Sequence, residues 1–140
     1  MVAEINALKE RVQREPKDLA ALVRLANLHH DVGMWPQAAG YYERAVEIDT
    51  DDPDLMTDLG VCYRGMQRFD DALAMFDRAT RTDPRHWQSL YNTIIVLAFD
   101  TQRFDRAEEA LRKLEGFDPP PPNLAELRRR VAEAAAGPPS

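Results

Sequence analysis

Three histidines and one cysteine are the side chains in this sequence best suited to metal binding or nucleophilic catalysis. His29 and His30 are neighbours, and on a helix neighbouring side chains point about 100° apart, which makes it hard for both to bind one metal ion. Cys62 is the only cysteine, so it allows no internal disulfide and no site with several thiolates, and no catalytic motif surrounds it. We expect His29 to be a core residue and His86 to lie in a turn, rather than either to bind zinc.

Aspartates between Asp49 and Asp54 could instead suggest a calcium-binding loop. An EF-hand loop that begins at Asp49 requires glycine at position 54 and glutamate at position 60, where this sequence has Asp54 and Gly60. Asp52 directly before Pro53 is typical of a helix N-cap followed by a first-turn proline. The sequence therefore predicts helix capping, with no metal and no cofactor. It also contains no glycine-rich phosphate loop and no G-x-S-x-G motif, so we predict that the protein is not an enzyme.

The composition indicates one soluble domain and argues against two classes of partner. The chain has 140 residues, of which 44% are hydrophobic and 30% are charged. Its longest apolar run, Thr93–Phe99, is much too short to cross a bilayer. A net charge of −6 disfavours nucleic-acid binding, which depends on cations that neutralise phosphates. The three consecutive arginines at 128–130 are a local exception, which we interpret as a solvated helix face.

Residues 1–16 contain no basic stretch followed by an apolar one, so we expect no signal peptide. Together with the single cysteine, this predicts a cytoplasmic, reduced protein. The alternative is a periplasmic domain whose signal or anchor has been removed.

The elements that carry these residues are predicted to be amphipathic helices arranged in a repeat. Alanines recur at Ala38, Ala72 and Ala107. The sequence distance from Ala72 to Ala107 is one residue longer than the distance from Ala38 to Ala72. QRFDDA at 67–72 returns as QRFDRA at 102–107, an agreement that an offset of one residue would destroy. The bulky positions that share this period are Trp35, Phe69 and Phe104 before the alanines and Tyr42, Phe76 and Leu111 after them.

This pattern resembles the tetratricopeptide repeat, a helical hairpin of about 34 residues. The stretch from Pro53 to Pro84 matches the signature of that repeat most completely, at Leu59, Gly60, Tyr63, Ala72, Phe76, Ala79 and Pro84. The resemblance implies an all-α fold, a right-handed α-solenoid of about three hairpins with flanking N- and C-terminal helices. We expect a single domain over residues 1–136, made of an N-terminal helix 2–14, repeats 19–52, 53–87 and 88–121, and a C-terminal capping helix 123–136, followed by a disordered tail 137–140.

The third repeat departs most from the signature. Between positions 84 and 107, the third repeat contains one residue more than the corresponding part of the second repeat. Either Ile94 or Ile95 therefore occupies the place that Gly60 has in the second repeat. We expect its first helix to be the most buried, because that helix is apolar on all sides.

Capping signals predict two further helix starts. Asp83 before Pro84 predicts the beginning of the first helix of the third repeat. Asn123 followed by Glu126 predicts a capping-box-like start for the last helix.

In the tetratricopeptide repeat family, the first helix of each hairpin lines a concave groove that binds partners. Carried over to this sequence, the resemblance implies a groove lined by Val23, Arg24, Asn27, His30 and Asp31 from the first repeat, by Thr57, Asp58, Val61 and Arg64 from the second, and by Asn92, Val96 and Phe99 from the third. This mixed lining suits an extended peptide or a helix that carries some apolar side chains. The alternative is that these residues are only solvated helix faces.

One functional branch of the family holds the C-terminal carboxylate of heat-shock chaperones with two lysines, an arginine and two asparagines. Of those places only Asn27 matches, because Val23 stands in a lysine place and Asp58 in an asparagine place. A carboxylate ligand would be repelled by Asp58, so we do not expect chaperone tails as partners. A weaker resemblance, through TDLGVCYR at 57–64, is to bacterial repeat proteins of cytochrome c maturation.

From these observations we predict a small adaptor or scaffold that binds a peptide or helical segment of another protein. The alternative is a structural module that self-associates as a homo-oligomer through its ends or outer face, such as an accessory factor in bacterial complex assembly. The apolar third repeat and the proline-linked last helix motivate this second interpretation.

Overall fold

The computed structural model describes residues 2–138, and in this part of the chain the regular secondary structure is entirely helical. Met1 and residues 139–140 lie outside the described residues, so the second half of the predicted tail lies outside them as well. The elements are α1 (Val2–Arg14), α2 (Leu19–Asp31), α3 (Trp35–Ile48), α4 (Pro53–Gly65), α5 (Phe69–Thr82), α6 (Trp87–Ile95), which continues into a π-helical turn (Val96–Asp100), α7 (Phe104–Glu115) and α8 (Leu124–Ala136).

Each helix contacts the next one along the chain, and α4 also contacts α6. The helical hairpins α2–α3, α4–α5 and α6–α7 are therefore stacked in chain order, with α1 and α8 at the two ends. This arrangement is an α-solenoid, and it confirms the predicted all-α fold.

Aspartate side chains cap two of the first helices. Asp18 accepts a hydrogen bond from the backbone N–H of Ala21 at 3.1 Å and thereby satisfies one free donor at the start of α2. Asp52 does the same for α4, where its carboxylate accepts from Asp54 at 2.9 Å and Pro53 occupies the first helical position. The aspartate cluster thus serves helix capping, as its spacing predicts.

One predicted helix start is wrong, and a second start is right but lacks its predicted side-chain cap. The helix α6 begins at Trp87 rather than after Asp83, because Asp83 ends α5 and its carboxylate accepts a backbone N–H within the turn that follows. His86 is the N-cap of α6 and accepts the N–H of Ser89 at 3.3 Å. Asn123 precedes α8 in a left-handed conformation with φ of 60°, and its side chain makes no capping hydrogen bond.

A π-helical turn accommodates the extra residue of the third repeat. The N–H of Thr101 donates to the carbonyl of Val96 at 3.0 Å, a bond that reaches one residue further back than the bonds of an α-helix. Gln67 and Gln102 occupy the same left-handed place in the turns of successive hairpins, with φ of 60° and 55°. The extra residue therefore precedes the turn that contains Gln102. It lies at the end of the first helix of the third hairpin.

Because the insertion comes late, Ile94 and not Ile95 occupies the place of Gly60. Ile94 lies one regular repeat period after Gly60 and is 0% exposed, whereas Ile95 is only half-buried. The aromatic place of this hairpin holds Leu111, which is smaller than its counterpart Phe76. Compared with the second hairpin, the third has a larger side chain in place of Gly60 and a smaller one in place of Phe76. The total side-chain volume between the two helices therefore stays similar, as close packing of a core requires.

Apolar side chains form two adjoining clusters. The first lies among α1 to α5, includes Val96 of the π-helical turn, and contains the fully buried rings of Tyr42 and Phe76. The second lies among α6, α7 and α8 and contains Leu111 and Leu127, while Leu73 packs against both clusters. A single hairpin buries only one face, so stacking the hairpins and covering the last one with α8 completes the core.

Candidate functional site

The first helices of the hairpins place a row of accessible side chains on corresponding faces of α2, α4 and α6. Positions one repeat apart have the same orientation in successive hairpins, and residues three and four apart share a face of one helix. The predicted groove residues that are half-buried or exposed are Val23, Arg24, Asn27, His30, Asp31, Asp58, Val61, Arg64, Asn92 and Phe99. We call these residues, together with Ile95, the groove face.

Two predicted groove residues are buried instead. Thr57 is 7% exposed, and its hydroxyl donates to the carbonyl of Pro53 at 2.8 Å, within its own helix. Val96 is 0% exposed and belongs to the first apolar cluster, because it lies one position beyond the accessible face. Ile95, one regular repeat period after Val61, is the accessible counterpart, and the repeat spacing applied up to the insertion would have identified it.

Arg64 is held by an ion pair with Asp100 across the second and third hairpins. Its Nε lies 2.5 Å from Asp100 Oδ2 and its terminal nitrogen 3.1 Å from Oδ1, which is the two-pronged geometry that guanidinium and carboxylate groups favour. The Asp100 side chain is only 16% exposed. The hydrogen bond to Asp100 is the main cause that raises the pKa of Arg64, so Arg64 stays protonated and its charge is balanced by Asp100.

Arg24, the other groove arginine, is also paired. Its Nε donates to Glu4 of α1 at 2.7 Å. The sequence predicts neither Glu4, which lies in α1, nor Asp100, which ends the π-helical turn after α6, as part of this surface. Both arginines of the groove face therefore have carboxylate partners from other elements.

Asp58 has no such partner. Within residues 2–138 its carboxylate forms no ion pair or hydrogen bond, although the residue is half-buried between its helix neighbours. Burial raises the pKa of Asp58 above the ordinary value, the charge of His30 opposes this shift, and Asp54 and Asp52 add to it. Within residues 2–138, the groove face thus contains a half-buried carboxylate that is not paired with a lysine or arginine and has only His30 and His86 as nearby cationic groups.

His30 and Asn27 form an aromatic and polar patch beside Asp58. The imidazole of His30 meets Trp35 edge-on, with ring centres 5.2 Å apart, and its Nε2 is buried with no hydrogen-bond partner among the described residues. The Asn27 side chain accepts a hydrogen bond from the hydroxyl of Tyr42 at 2.5 Å. These contacts hold the polar groups of α2 in place against α3.

His86 lies in the turn between α5 and α6, as predicted, and connects the second and third hairpins. Its Nε2 lies 2.7 Å from Asp54 Oδ1 and its Nδ1 3.0 Å from the hydroxyl of Ser89. The side chain is 7% exposed, while that of Asp54 is 78% exposed. Since Asp54 is in the first turn of α4 and His86 caps α6, this contact fixes the relative position of two groove-lining helices.

Phe99 lies at the far end of the groove face, where α8 approaches. The guanidinium of Arg130 stands over its ring at 4.8 Å, a cation–π contact. Phe99 is therefore less available to a partner than the resemblance implies. Arg128 pairs with Glu108 and Glu115 of α7, so two of the three consecutive arginines contact other elements, which corrects the interpretation of residues 128–130 as a solvated helix face.

The remaining candidates for chemistry are occupied by packing. Cys62 is fully buried, and burial, with a smaller contribution from Asp58, raises the pKa of its thiol to about 12, so the reactive thiolate is scarce at neutral pH. His29 is buried, its Nδ1 lies 2.8 Å from the carbonyl of Leu25, and its ring lies beside Tyr41. Among residues 2–138 no three metal-binding side chains come close enough to hold an ion.

Two clefts lie away from the groove face. One, of about 520 Å³, lies among α5, α6 and α7 and is lined by residues that include Leu73, Leu90 and, just after α7, Phe117. The other, of about 630 Å³, lies between Trp87 and the prolines at 119–122. None of the helices in the described part of the chain is both long enough and apolar enough to span a membrane.

The stacked hairpins and their accessible row define the class of protein as an α-solenoid built from helical repeats. The chain belongs to the tetratricopeptide repeat family: family models with that description match residues 31–94 and residues 5–53. A search of curated protein sequences finds no significant match.

Solved structures with the same fold share little sequence identity with this chain. MamA superposes with a TM-score of 0.83 at 20% identity, covering 95% of this chain and 75% of MamA. The type III secretion chaperone SycD of Yersinia enterocolitica was solved in complex with a peptide of the translocator YopD. It superposes with a TM-score of 0.71 at 20% identity, and the match covers 84% of this chain and 89% of SycD. The first tetratricopeptide repeat domain of Spaghetti (RPAP3) was solved bound to the HSP90 peptide SRMEEVD. It superposes with a TM-score of 0.74 at 17% identity, and the match covers 85% of this chain and 96% of that domain.

Proposed function

We propose that the protein is a non-catalytic adaptor or scaffold that binds a peptide or helical segment of another protein along the groove face. The observation that carries the proposal is that α2, α4 and α6 each have one buried side and one accessible side. Their other sides are buried in the core, while Asn27, Val61 and Ile95, which are one repeat period apart, and Asp58 remain partly accessible. Such a mixture of apolar and polar groups can bury side chains of a peptide and satisfy its backbone.

The solved relatives support this proposal, because SycD and the RPAP3 domain were each solved with a peptide bound. The chemistry of the peptide must differ here from that of SRMEEVD. The groove face holds the unpaired carboxylate of Asp58, and its arginines are engaged by Glu4 and Asp100. A peptide with acidic side chains and a terminal carboxylate would meet repulsion rather than cations.

A non-catalytic role agrees with the burial of Cys62 and with the packing of His29. The proposal places the protein in the cytoplasm, in line with its single reduced cysteine.

The test is a selection of binding peptides followed by a comparison of two matched variants. Peptides are selected on the full-length protein from a random display library, and their affinities are measured by fluorescence polarisation. Val61→Gln removes an apolar side chain from the groove face, and we expect it to weaken binding about tenfold, equivalent to roughly 1.4 kcal/mol. Ile48→Gln makes the same kind of change on α3, where Ile48 is 39% exposed, and should leave affinity unchanged.

Melting temperatures of both variants control for unfolding. The proposal fails if every selected peptide binds Val61→Gln as tightly as the unchanged protein, or if no peptide can be selected.

Self-association is the alternative function, and the structure weakens the reason for it. The apolar third hairpin is not open, because α8 covers it with the buried side chains of Leu127 and Val131. Light scattering over a range of concentrations distinguishes the two functions. We expect a monomer, and a stable dimer at micromolar concentration would favour the assembly role.

A further inference from the structure

The charges of the groove face are unevenly compensated. Arg64 is bound by Asp100 with two contacts, and Arg24 is bound by Glu4. Each cation already has a carboxylate partner from the protein, which weakens its attraction for an anionic ligand. The groove face therefore presents little uncompensated positive charge, apart from the histidines.

The uncompensated negative charge is on Asp58, in the middle helix of the three. Its carboxylate is half-buried and has no ion pair or hydrogen bond within the described part of the chain. Asp31 adds a second carboxylate one hairpin earlier, 70% exposed and no nearer than 4.0 Å to the ring of His30. A buried or half-buried carboxylate normally has a cation or hydrogen-bond donors beside it, and here neither is supplied by the described residues.

Apolar side chains lie next to this carboxylate on the same face. Val61 is one helical turn after Asp58, and Ile95 occupies the corresponding place of Val61 in the next hairpin. Both are half-buried, so part of each side chain remains accessible. A long basic side chain matches such a surface, since its aliphatic stem can pack on apolar groups while its charged end meets the carboxylate.

We propose that the partner segment bound along the groove face carries a lysine or arginine that pairs with Asp58 and packs its stem on Val61 and Ile95. This inference rests on the proposed function and gives the partner a chemistry, a basic peptide with flanking apolar residues. Asp58 has already lost part of its hydration in the unbound protein. Pairing with a cation therefore restores favourable electrostatics at a smaller desolvation cost than for an exposed carboxylate.

The experiment starts from the peptides selected on the full-length protein. We expect lysine and arginine to be enriched at one position relative to the starting library. Replacing that residue by glutamine in a selected peptide should weaken binding at least about tenfold, and Asp58→Asn should weaken the original peptide by a similar factor. Combining both changes should cost little more than either alone, because the two side chains act as one pair.

A charge exchange and a matched control complete the design. Asp58→Lys should lose the lysine peptide and bind the same peptide with glutamate in place of that lysine. Glu47→Gln removes an exposed carboxylate from α3, outside the groove face, and should change affinity less than twofold. Raising the sodium chloride concentration should weaken the lysine peptide more than its glutamine version.

The inference is overturned if the selected peptides show no basic preference, or if Asp58→Asn binds the lysine peptide as tightly as the unchanged protein. In either case the proposed function survives as long as Val61→Gln still reduces binding. If Val61→Gln has no effect, the proposed function itself fails.

Discussion

The ring of Phe76 lies so close to Gly60 that no other residue fits opposite it without movement. A Cβ atom added to Gly60 would lie 2.4 Å from Phe76 Cε1 and 2.7 Å from Cδ1. Carbon atoms in contact are normally at least about 3.5 Å apart. The two helices of the central hairpin, α4 and α5, therefore approach at a distance that depends on glycine in one and a flat ring in the other.

We predict that Gly60→Ala lowers the free energy of unfolding by about 1–3 kcal/mol through overpacking, and that Phe76→Ala lowers it by about 3–5 kcal/mol through a cavity. In the Phe76→Ala background the added methyl group has room, so Gly60→Ala should cost little there. Urea denaturation of the four proteins measures this coupling.

Gly40→Ala is the matched control for that cycle. Gly40 is in α3 and has no atom within 4 Å of the place where a Cβ would lie. Alanine should stabilise the protein by about 0.5–1 kcal/mol at this position because it favours the helix. Equal costs for alanine at residues 40 and 60 would contradict the importance of the Phe76 contact.

The pair Arg64 and Asp100 gives a second prediction. Arg64→Glu places two carboxylates side by side, and because both groups are partly exposed we expect a loss of about 1–2 kcal/mol in unfolding free energy. Exchanging the pair as Arg64→Asp with Asp100→Arg should recover part of this loss. Unfolding midpoints in urea measure both, and an unchanged midpoint for Arg64→Glu would show that the pair does not contribute.

Asp58 gives a prediction about pH. Its pKa is raised in the folded protein by burial, against the opposing charge of His30 and His86 and with added repulsion from Asp54 and Asp52. An acid whose pKa is higher folded than unfolded binds its proton more tightly when folded. Its ionisation therefore lowers stability as the pH rises through the folded pKa, and this loss disappears as the pH falls below the unfolded value.

Asp58→Asn should consequently melt about 1–3 °C higher than the unchanged protein at pH 7. The difference should shrink as the pH falls toward about 4, near the ordinary pKa of aspartate. Thermal melts at several pH values between these limits provide the measurement. A lower melting temperature for Asp58→Asn at pH 7 would show that the carboxylate is stabilising and would argue against its role as an unpaired binding group.

Cys62 gives a prediction about reactivity. Because burial raises the pKa of its thiol to about 12, the folded protein should react with Ellman's reagent only as fast as it unfolds. The same protein in guanidinium chloride should react at once. Rapid modification of the folded protein would show that the thiol is accessible.

The sequence was sufficient to predict the hairpins, because a regular repeat of small and aromatic positions records which faces must pack together. Most of the side chains predicted to line a groove are accessible in the structure, since a helix carries its accessible side chains at known spacings. The errors at Thr57 and Val96 came from single positions at the edge of that face, where one step of about 100° around the helix separates accessible from buried. The start of α6 was wrong because an aspartate before a proline can end one helix as well as begin another.

What the sequence by itself determined is the repeating unit, the family and the helical faces, all of which depend on residues close together along the chain. The tertiary structure alone decided which charges are free. Arg64 and Asp100 are 36 residues apart and meet only because successive hairpins stack. The same stacking leaves Asp58 half-buried with no ion pair among the described residues, and the π-helical turn decides where the inserted residue lies. Electrostatic pairing depends on distances across hairpins, which no local pattern records.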